Sequence, residues 1–261
     1  MDLHLDGKIA VVTGASKGIG LAVTRALSAE GVSVVAGART TDSLEALDMQ
    51  TPVRAVAVDL SSPDGPARLI EEAMDTYGGL DILVNNVGAV HPHVGGFLTI
   101  TDEDWVAALT VNLLAAVRTT RAALPHLLER GAATIVTISS VNAFLPDPMI
   151  IDYSAAKAAL ANFSKALSKE VGPKGIRVNT ISPGPVSTPL WLGPGGVAAT
   201  FAEAGGNNAA AVAEQAAAGS VTGRFTAPEE VADLVLVLAS DRAGNVTGSD
   251  FVIDGGLIGT L

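Results

Sequence analysis

The stretch Lys8-Ile9-Ala10-Val11-Val12-Thr13-Gly14-Ala15-Ser16-Lys17-Gly18-Ile19-Gly20 decides the fold. Its first half is a short apolar run with the length and composition of a buried strand. Its second half sets glycines at 14, 18 and 20, which permit a tight turn and close approach of the backbone to a pyrophosphate. The charge of such a group would sit on the N-terminus of the helix that starts near Ile19. An amphipathic continuation through Ile19, Val23, Ala26 and Leu27, stopped by Gly31, completes a strand–turn–helix unit. A lone glycine-rich loop is weak evidence; in this context it predicts a dinucleotide site.

Working outward, apolar runs at 32–36, 53–58, 80–84, 134–138, 176–181 and 250–253 alternate with helical patterns. Together with 9–13 they predict an α/β fold: a single domain over 1–261, built on a doubly wound parallel sheet of about seven strands with helices on both faces. Thr101-Asp102-Glu103-Asp104 and Thr226-Ala227-Pro228-Glu229 read as capping boxes at helix starts. Gly14, Arg39, Asp59, Asn86, Ser140 and Pro183-Gly184 each follow a different strand, so they share the edge where doubly wound folds bind ligands.

The chain has 261 residues, 48% of them hydrophobic, which suits one α/β domain with a sizeable core. Sixteen basic against 27 acidic residues leave a formal charge of −11, which argues against nucleic acid and anionic membrane as partners. No apolar run approaches the roughly 18 residues of a membrane span. Met1 to Asp6 lacks the basic start and apolar stretch of a signal peptide, and cytoplasm is the default compartment. With no cysteine, disulfide and thiolate chemistry are excluded. No repeat, low-complexity linker or charge block marks a boundary.

Tyr153-Ser154-Ala155-Ala156-Lys157 carries the chemistry, because residues four apart stack on one helical face. A free tyrosine holds its proton until about pH 10, and a nearby ammonium draws that value down toward the working range. Tyr-x-x-x-Lys alone is common on helices as a half-buried aromatic beside a solvated lysine. Here Ser140 ends the run Ala133-Thr134-Ile135-Val136-Thr137-Ile138-Ser139, where a hydroxyl can face a helix-borne tyrosine.

Thr13 to Gly20, Asn85-Asn86-Val87-Gly88, Ser140 and Tyr153 with Lys157, in that order, resemble the signature of the short-chain dehydrogenase/reductase family over nearly the whole chain. Val87 departs from it, standing where the family usually carries alanine, and is expected to crowd the cofactor wall slightly. The resemblance implies that Ser140 hydrogen-bonds a carbonyl and that Tyr153 donates the proton. It also implies that Lys157 lowers the phenol pKa and holds the nicotinamide ribose. Asn112 of Val111-Asn112, in a helix over 105–127, would order a water linking the lysine to solvent; read alone, it is a surface asparagine. Gly14, Ser16, Lys17, Gly18, Ile19, Gly20 and Gly88 would line the cofactor. Asp59 and Leu60 would meet the adenine, Asn86 the adenosine ribose, and Pro183, Gly184, Val186 and Thr188 the carboxamide. A homotetramer is implied too, and small and apolar residues on several sides of 153–171 fit it.

The cofactor is expected to be NADP(H): Ala38 occupies the place of an acidic ribose ligand, and Arg39 and Lys17 can meet a 2′-phosphate. Residues 189–225 read as a glycine-rich lid that is poor in charge, with Leu190, Trp191, Leu192 and Phe201 apolar. Leu145 and Met149 would supply the opposite wall. The expected activity is hydride transfer between NADP(H) and a carbonyl or secondary alcohol, with a small lipophilic ketone as substrate. The alternatives are an acyl-carrier 3-ketoacyl reductase, marked by basic residues at the mouth, and a non-enzymatic dinucleotide sensor, which tends to lose Tyr or Lys. No metal is expected; His91 and His93 read as solvated loop residues at the rim. Ser139 reads as a turn residue and Asp254-Gly255-Gly256 as a structural turn.

Overall fold

Branched aliphatic residues and alanine fill the strands, and successive ones enter opposite faces. Ala10, Val12, Ala36, Val84 and Val136 pack with Val23, Leu27, Val231, Val235 and Leu238. Val11, Val35, Leu83, Ile135 and Val178 pack with Leu69, Ile70, Ala123, Leu127 and Val171. A sheet buried on both sides needs no polar alternation, which is why its strands read as continuous apolar runs. Each such Leu, Ile or Val contributes about 1.5–3 kcal/mol when fully buried.

The computed structural model describes residues 2–46 and 49–260; Met1, Leu47, Asp48 and Leu261 lie outside them. Among the described residues the strands are β1 (Ile9–Thr13), β2 (Ser33–Ala38), β3 (Val53–Ala57), β4 (Ile82–Asn85), β5 (Ala133–Ile138), β6 (Ile176–Pro183) and β7 (Asp250–Ile253). All pair in parallel, in the order β3-β2-β1-β4-β5-β6-β7. The helices are α1 (Gly18–Ala29), α2 (Asp42–Glu45), α3 (Gly65–Tyr77), α4 (Asp102–Leu109), α5 (Ala115–Arg130), α6 (Ile151–Val171), α7 (Pro189–Leu192), α8 (Val197–Gly205), α9 (Ala209–Ala218) and α10 (Pro228–Ala239). All seven expected strands are present, with ends displaced by a few residues. No helix among the described residues is long and apolar enough to cross a membrane.

Strand order reverses between β1 and β4, which opens the crevice where such sheets bind ligands. One buried hydroxyl fastens the two strand ends. Thr13 Oγ1 donates to Val84 O (3.2 Å) and accepts from the N–H groups of Asn86 (2.8 Å) and Val87 (3.1 Å). Asn86 Nδ2 returns two bonds, to Thr13 O at 2.9 Å and Gly14 O at 3.1 Å. The turn needs its glycines: Gly14 holds φ +65°, and a Cβ on Gly20 would collide with Gly14 O and lie 2.5 Å from Asn86 Nδ2.

Three local expectations are corrected. The helix over 105–127 is interrupted by a wide π turn at Thr110–Leu114. Asn112 Nδ2 donates to Ala108 O (3.0 Å), taking the carbonyl that a regular helix would give to the residue-112 N–H. Thr101 forms the expected capping box with Asp104, but α10 is capped at Ala227 rather than Thr226. Thr226 is occupied by a β-bridge to Val186, while Glu230 reaches back to the Ala227 N–H at 2.7 Å. Residues 189–225 are mostly helical: α7, α8 and α9 occupy them, and Gly193, Gly196, Gly205 and Gly206 fall at helix ends.

Candidate active site

A cleft of ≈ 1370 Å³ runs along the carboxyl ends of the strands. It exceeds the roughly 300–1,000 Å³ of a drug-sized pocket, so it has room for a dinucleotide and a second molecule. Every residue expected at the cofactor or the reaction lines it except Gly20 and Asn112, which lie behind the wall and shape it.

One half is a cradle for a polyanion. α1 begins at Gly18 with Lys17 in the cap position and no side chain bonding its first N–H groups, which leaves those donors and the positive end of the helix dipole open. Lys17 and Arg39 border the same half. Asp59 is held below the ordinary carboxylate range by the hydroxyl and N–H of Ser61, with a smaller contribution from the charge of Arg39. Open donors, a backbone that tolerates no Cβ and two cations fit a dinucleotide phosphate.

The other half holds the serine, tyrosine and lysine expected to react. β5 delivers Ser139 and Ser140 at its end, and α6 presents Tyr153 and Lys157 one turn apart. Ser140 lies within hydrogen-bonding reach of the Tyr153 hydroxyl. Its Oγ also donates to Asn142 Oδ1 (3.1 Å) and accepts from the Asn142 N–H (3.2 Å). Ser139 instead bonds the α6 backbone at Lys157 O (3.5 Å), so it braces the helix rather than facing the cleft centre. Lys157 is 3% exposed, its Nζ donating to Ile138 O at 2.9 Å and lying 5.7 Å from the Tyr153 ring centroid. A Cβ on Gly88 would sit 3.0 Å from Asn112 Oδ1 and 3.5 Å from Lys157 Nζ, which places both beside that glycine. Asn112 is no surface residue: at 1% exposure it accepts from the Ala89 N–H (3.1 Å) and donates to Ala89 O (2.9 Å).

Burial dominates the electrostatics. It lowers the Lys157 pKa from 10.5 to about 8, since among the described residues no carboxylate pairs with the ammonium. It raises the Tyr153 phenol above 10, opposed by the Ser140 hydrogen bond. The expected lowering of the phenol by Lys157 is therefore not found in the protein alone, where burial sets the direction.

The substrate-side wall differs in part from expectation. Leu190, Trp191 and Phe201 line it, but Leu192 does not, and Ile150 takes the place expected of Met149. Trp191 also packs on Phe225, ring centroids 5.4 Å apart. Gln215, Ala216 and Leu257 join the wall without any sequence signal. His93 is not solvated: its Nε2 lies 3.0 Å from Asp152 Oδ2, at 13% and 5% side-chain exposure. His91 remains exposed at the rim, and no group of metal-ligating side chains occurs among the described residues.

Lys157→Met tests the electrostatics. The folded pKa lies below the unfolded one, so from about pH 8 to 10.5 only the unfolded chain binds this proton, and the group's contribution to stability rises with pH across that window. At pH 7 the buried charge costs at most about 3 kcal/mol, of which roughly 1 kcal/mol returns through the Ile138 hydrogen bond. The variant should lose all activity while its calorimetric Tm at pH 7 rises by a few degrees. An unchanged or lower Tm would refute the uncompensated charge.

A family model described as Enoyl-(Acyl carrier protein) reductase matches residues 14–258. The chain is 36% identical over 260 residues to the 3beta-hydroxysteroid dehydrogenase 1 of Eggerthella lenta, covering 97% of this chain and 94% of that one. It is 32% identical over 262 residues to the 3-oxoacyl-(acyl-carrier-protein) reductase of Thermotoga maritima, covering 98% and 100%. The solved L-sorbose reductase of Gluconobacter frateurii, complexed with NADPH and L-sorbose, superposes at a TM-score of 0.92, with 35% identity and 100% coverage of both chains. Matched along nearly its full length in sequence and fold, the chain belongs to the short-chain dehydrogenase/reductase family of oxidoreductases.

Proposed function

We propose that the protein is an NADP(H)-dependent reductase of a small, uncharged, lipophilic ketone, acting through Ser140, Tyr153 and Lys157. The observation that carries this reading is the shared cleft: a phosphate cradle with two cations at one end, and a serine, a tyrosine and a buried lysine at the other. Gly14 to Gly20, Arg39, Asp59, Leu60, Asn86, Gly88 and the 183–188 segment would hold the dinucleotide, which supplies the hydride when bound. Ser140 donates a hydrogen bond to the carbonyl oxygen and Tyr153 gives it a proton. Lys157 stabilises the phenolate left behind, and Asn112 braces the loop at Ala89 beside the lysine. Retention of all four residues disfavours a non-enzymatic sensor.

The names of the relatives give the acyl-carrier reading some weight, as the L-sorbose complex does for a hydroxylated ketone. On the substrate side, however, the charged lining is acidic, with Asp102, Glu103, Asp104 and Asp147. An acidic carrier would be repelled there, whereas a free neutral ketone would not. Leu145, Leu190, Trp191 and Phe201 offer it apolar contact.

Four measurements test the reading. Wild-type kcat/KM should favour NADPH over NADH, and Arg39→Ala should cut that preference by about tenfold or more, the worth of one charge-assisted hydrogen bond; equal or better use of NADH by the wild type would overturn the cofactor assignment. In a panel of plain ketones, hydroxylated ketones, hydroxysteroids and 3-oxoacyl thioesters followed at 340 nm, neutral lipophilic ketones should be turned over best. Tyr153→Phe should lose about 10²- to 10⁴-fold of that rate with NADPH affinity retained, and a variant keeping most of its activity would remove Tyr153 from its role. Finally, Leu114, Val237 and Val252, away from the cleft, leave apolar surface exposed. A homotetramer would bury it, so light scattering should give about four times the 26.3 kDa chain mass; a mass near one chain would count against assembly.

A further inference from the structure

The segment joining β4 to α4 forms one wall of the cleft, and residues 87–96 carry no regular element. Two anchors hold it. Near its start, Asn112 brackets Ala89 through both backbone groups. Farther on, the His93 N–H donates to Met149 O (2.7 Å), and the His93 ring meets Asp152, one residue before the reacting tyrosine.

The geometry at Asp152 is specific. Oδ2 lies 3.0 Å from His93 Nε2, and Oδ1 accepts the backbone N–H of Tyr153 at 2.8 Å. A carboxylate only accepts, so Nε2 is the protonated ring nitrogen. Among the described residues His93 is the only side chain paired with this carboxylate, which is buried in the first turn of α6, where its bond to the Tyr153 N–H stands in for the cap that Ile150 cannot give. One acidic group thus joins the substrate-side loop to the backbone that carries the phenol.

We propose that His93 is a positioning residue: acting through Asp152, it holds the loop of residues 88–100 closed and fixes the first turn of α6, so that Tyr153 points its hydroxyl at the substrate. The inference rests on the proposed carbonyl reduction and adds the element that aligns its acid. Without His93 the buried carboxylate has no counter-group and turns toward solvent, releasing the Tyr153 N–H and the loop together. Misplacement of a reacting group by about 1 Å can cost 10²-fold in rate, so the pair, which itself borders the cleft, acts through the acid it aligns.

The test uses hydrogen exchange and turnover of the full chain. In His93→Ala, amide exchange should quicken in residues 88–100 and at the Tyr153 amide together, and kcat/KM for the best ketone of the panel should fall about 10- to 100-fold with the NADPH Kd unchanged. His93→Gln, whose side-chain amide nitrogen stands where Nε2 does, should restore both. Asp152→Asn keeps an acceptor for Tyr153 but loses the charge, so exchange should quicken in the loop while the Tyr153 amide stays protected; this variant and the glutamine carry the test if the alanine variant does not fold. Exchange that quickens in the loop alone in His93→Ala, or a glutamine variant no better than alanine, would overturn the proposal. Coupled exchange in a protein that reduces no ketone would instead uphold the clasp and refute the reductase reading.

Discussion

The hydroxyl of Thr13 is the fastening on which the cleft depends. It sits at the reversal of strand order, buried, with its proton given to β4 and its lone pairs taking two N–H groups from the chain that leaves β4. Valine would match its shape but leave those two donors unpaired in the interior, at a cost of about 1–3 kcal/mol each. More than stability follows from the bond. The glycine turn leaves β1 and the substrate-side loop leaves β4, so the phosphate cradle and the wall opposite the phenol are hung from one point and hold a constant separation.

Around that fastening the site is built from groups that water would serve better. Lys157 is charged, buried and satisfied by a backbone carbonyl, and Tyr153 keeps its proton more tightly than in solution. The two shifts run in opposite directions on the pKa scale, so the phenol and the ammonium, nearly matched in free solution, are driven apart in proton affinity. Such an arrangement persists only because the surrounding sheet and helices hold it. The π turn at Asn112 belongs to the same class of feature, a local irregularity that serves the loop at Ala89 rather than its own helix.

How far the sequence could be read depended on range. The strand–turn–helix opening, the seven apolar runs and the Tyr153–Lys157 spacing are local patterns, and each appears where its period and composition indicate. Glycines in 189–225 suggested an open loop, yet several stand at helix ends, a use that composition cannot separate from flexibility. The cap of α10 moved by one residue because Thr226 had a competing partner at Val186. The π turn needed knowledge of where the Asn112 amide points. The pairing of His93 with Asp152 joins positions 59 apart in the chain, and no periodicity links them.

The helices above the substrate side differ from the rest in how little they share with the core. α9 buries none of its residues, and α8 buries only Val197, Ala198 and Ala202. Surface substitutions away from packed features usually shift stability by no more than about 0.5 kcal/mol. Gln215 and Ala216, which face the cleft from α9, can therefore change size and polarity while the sheet, the glycine turn and Ser140, Tyr153 and Lys157 stay intact. In evolutionary terms the substrate range is free to drift while the rest of the site is kept, and laboratory selection for new substrates would find its tolerated changes in this covering segment.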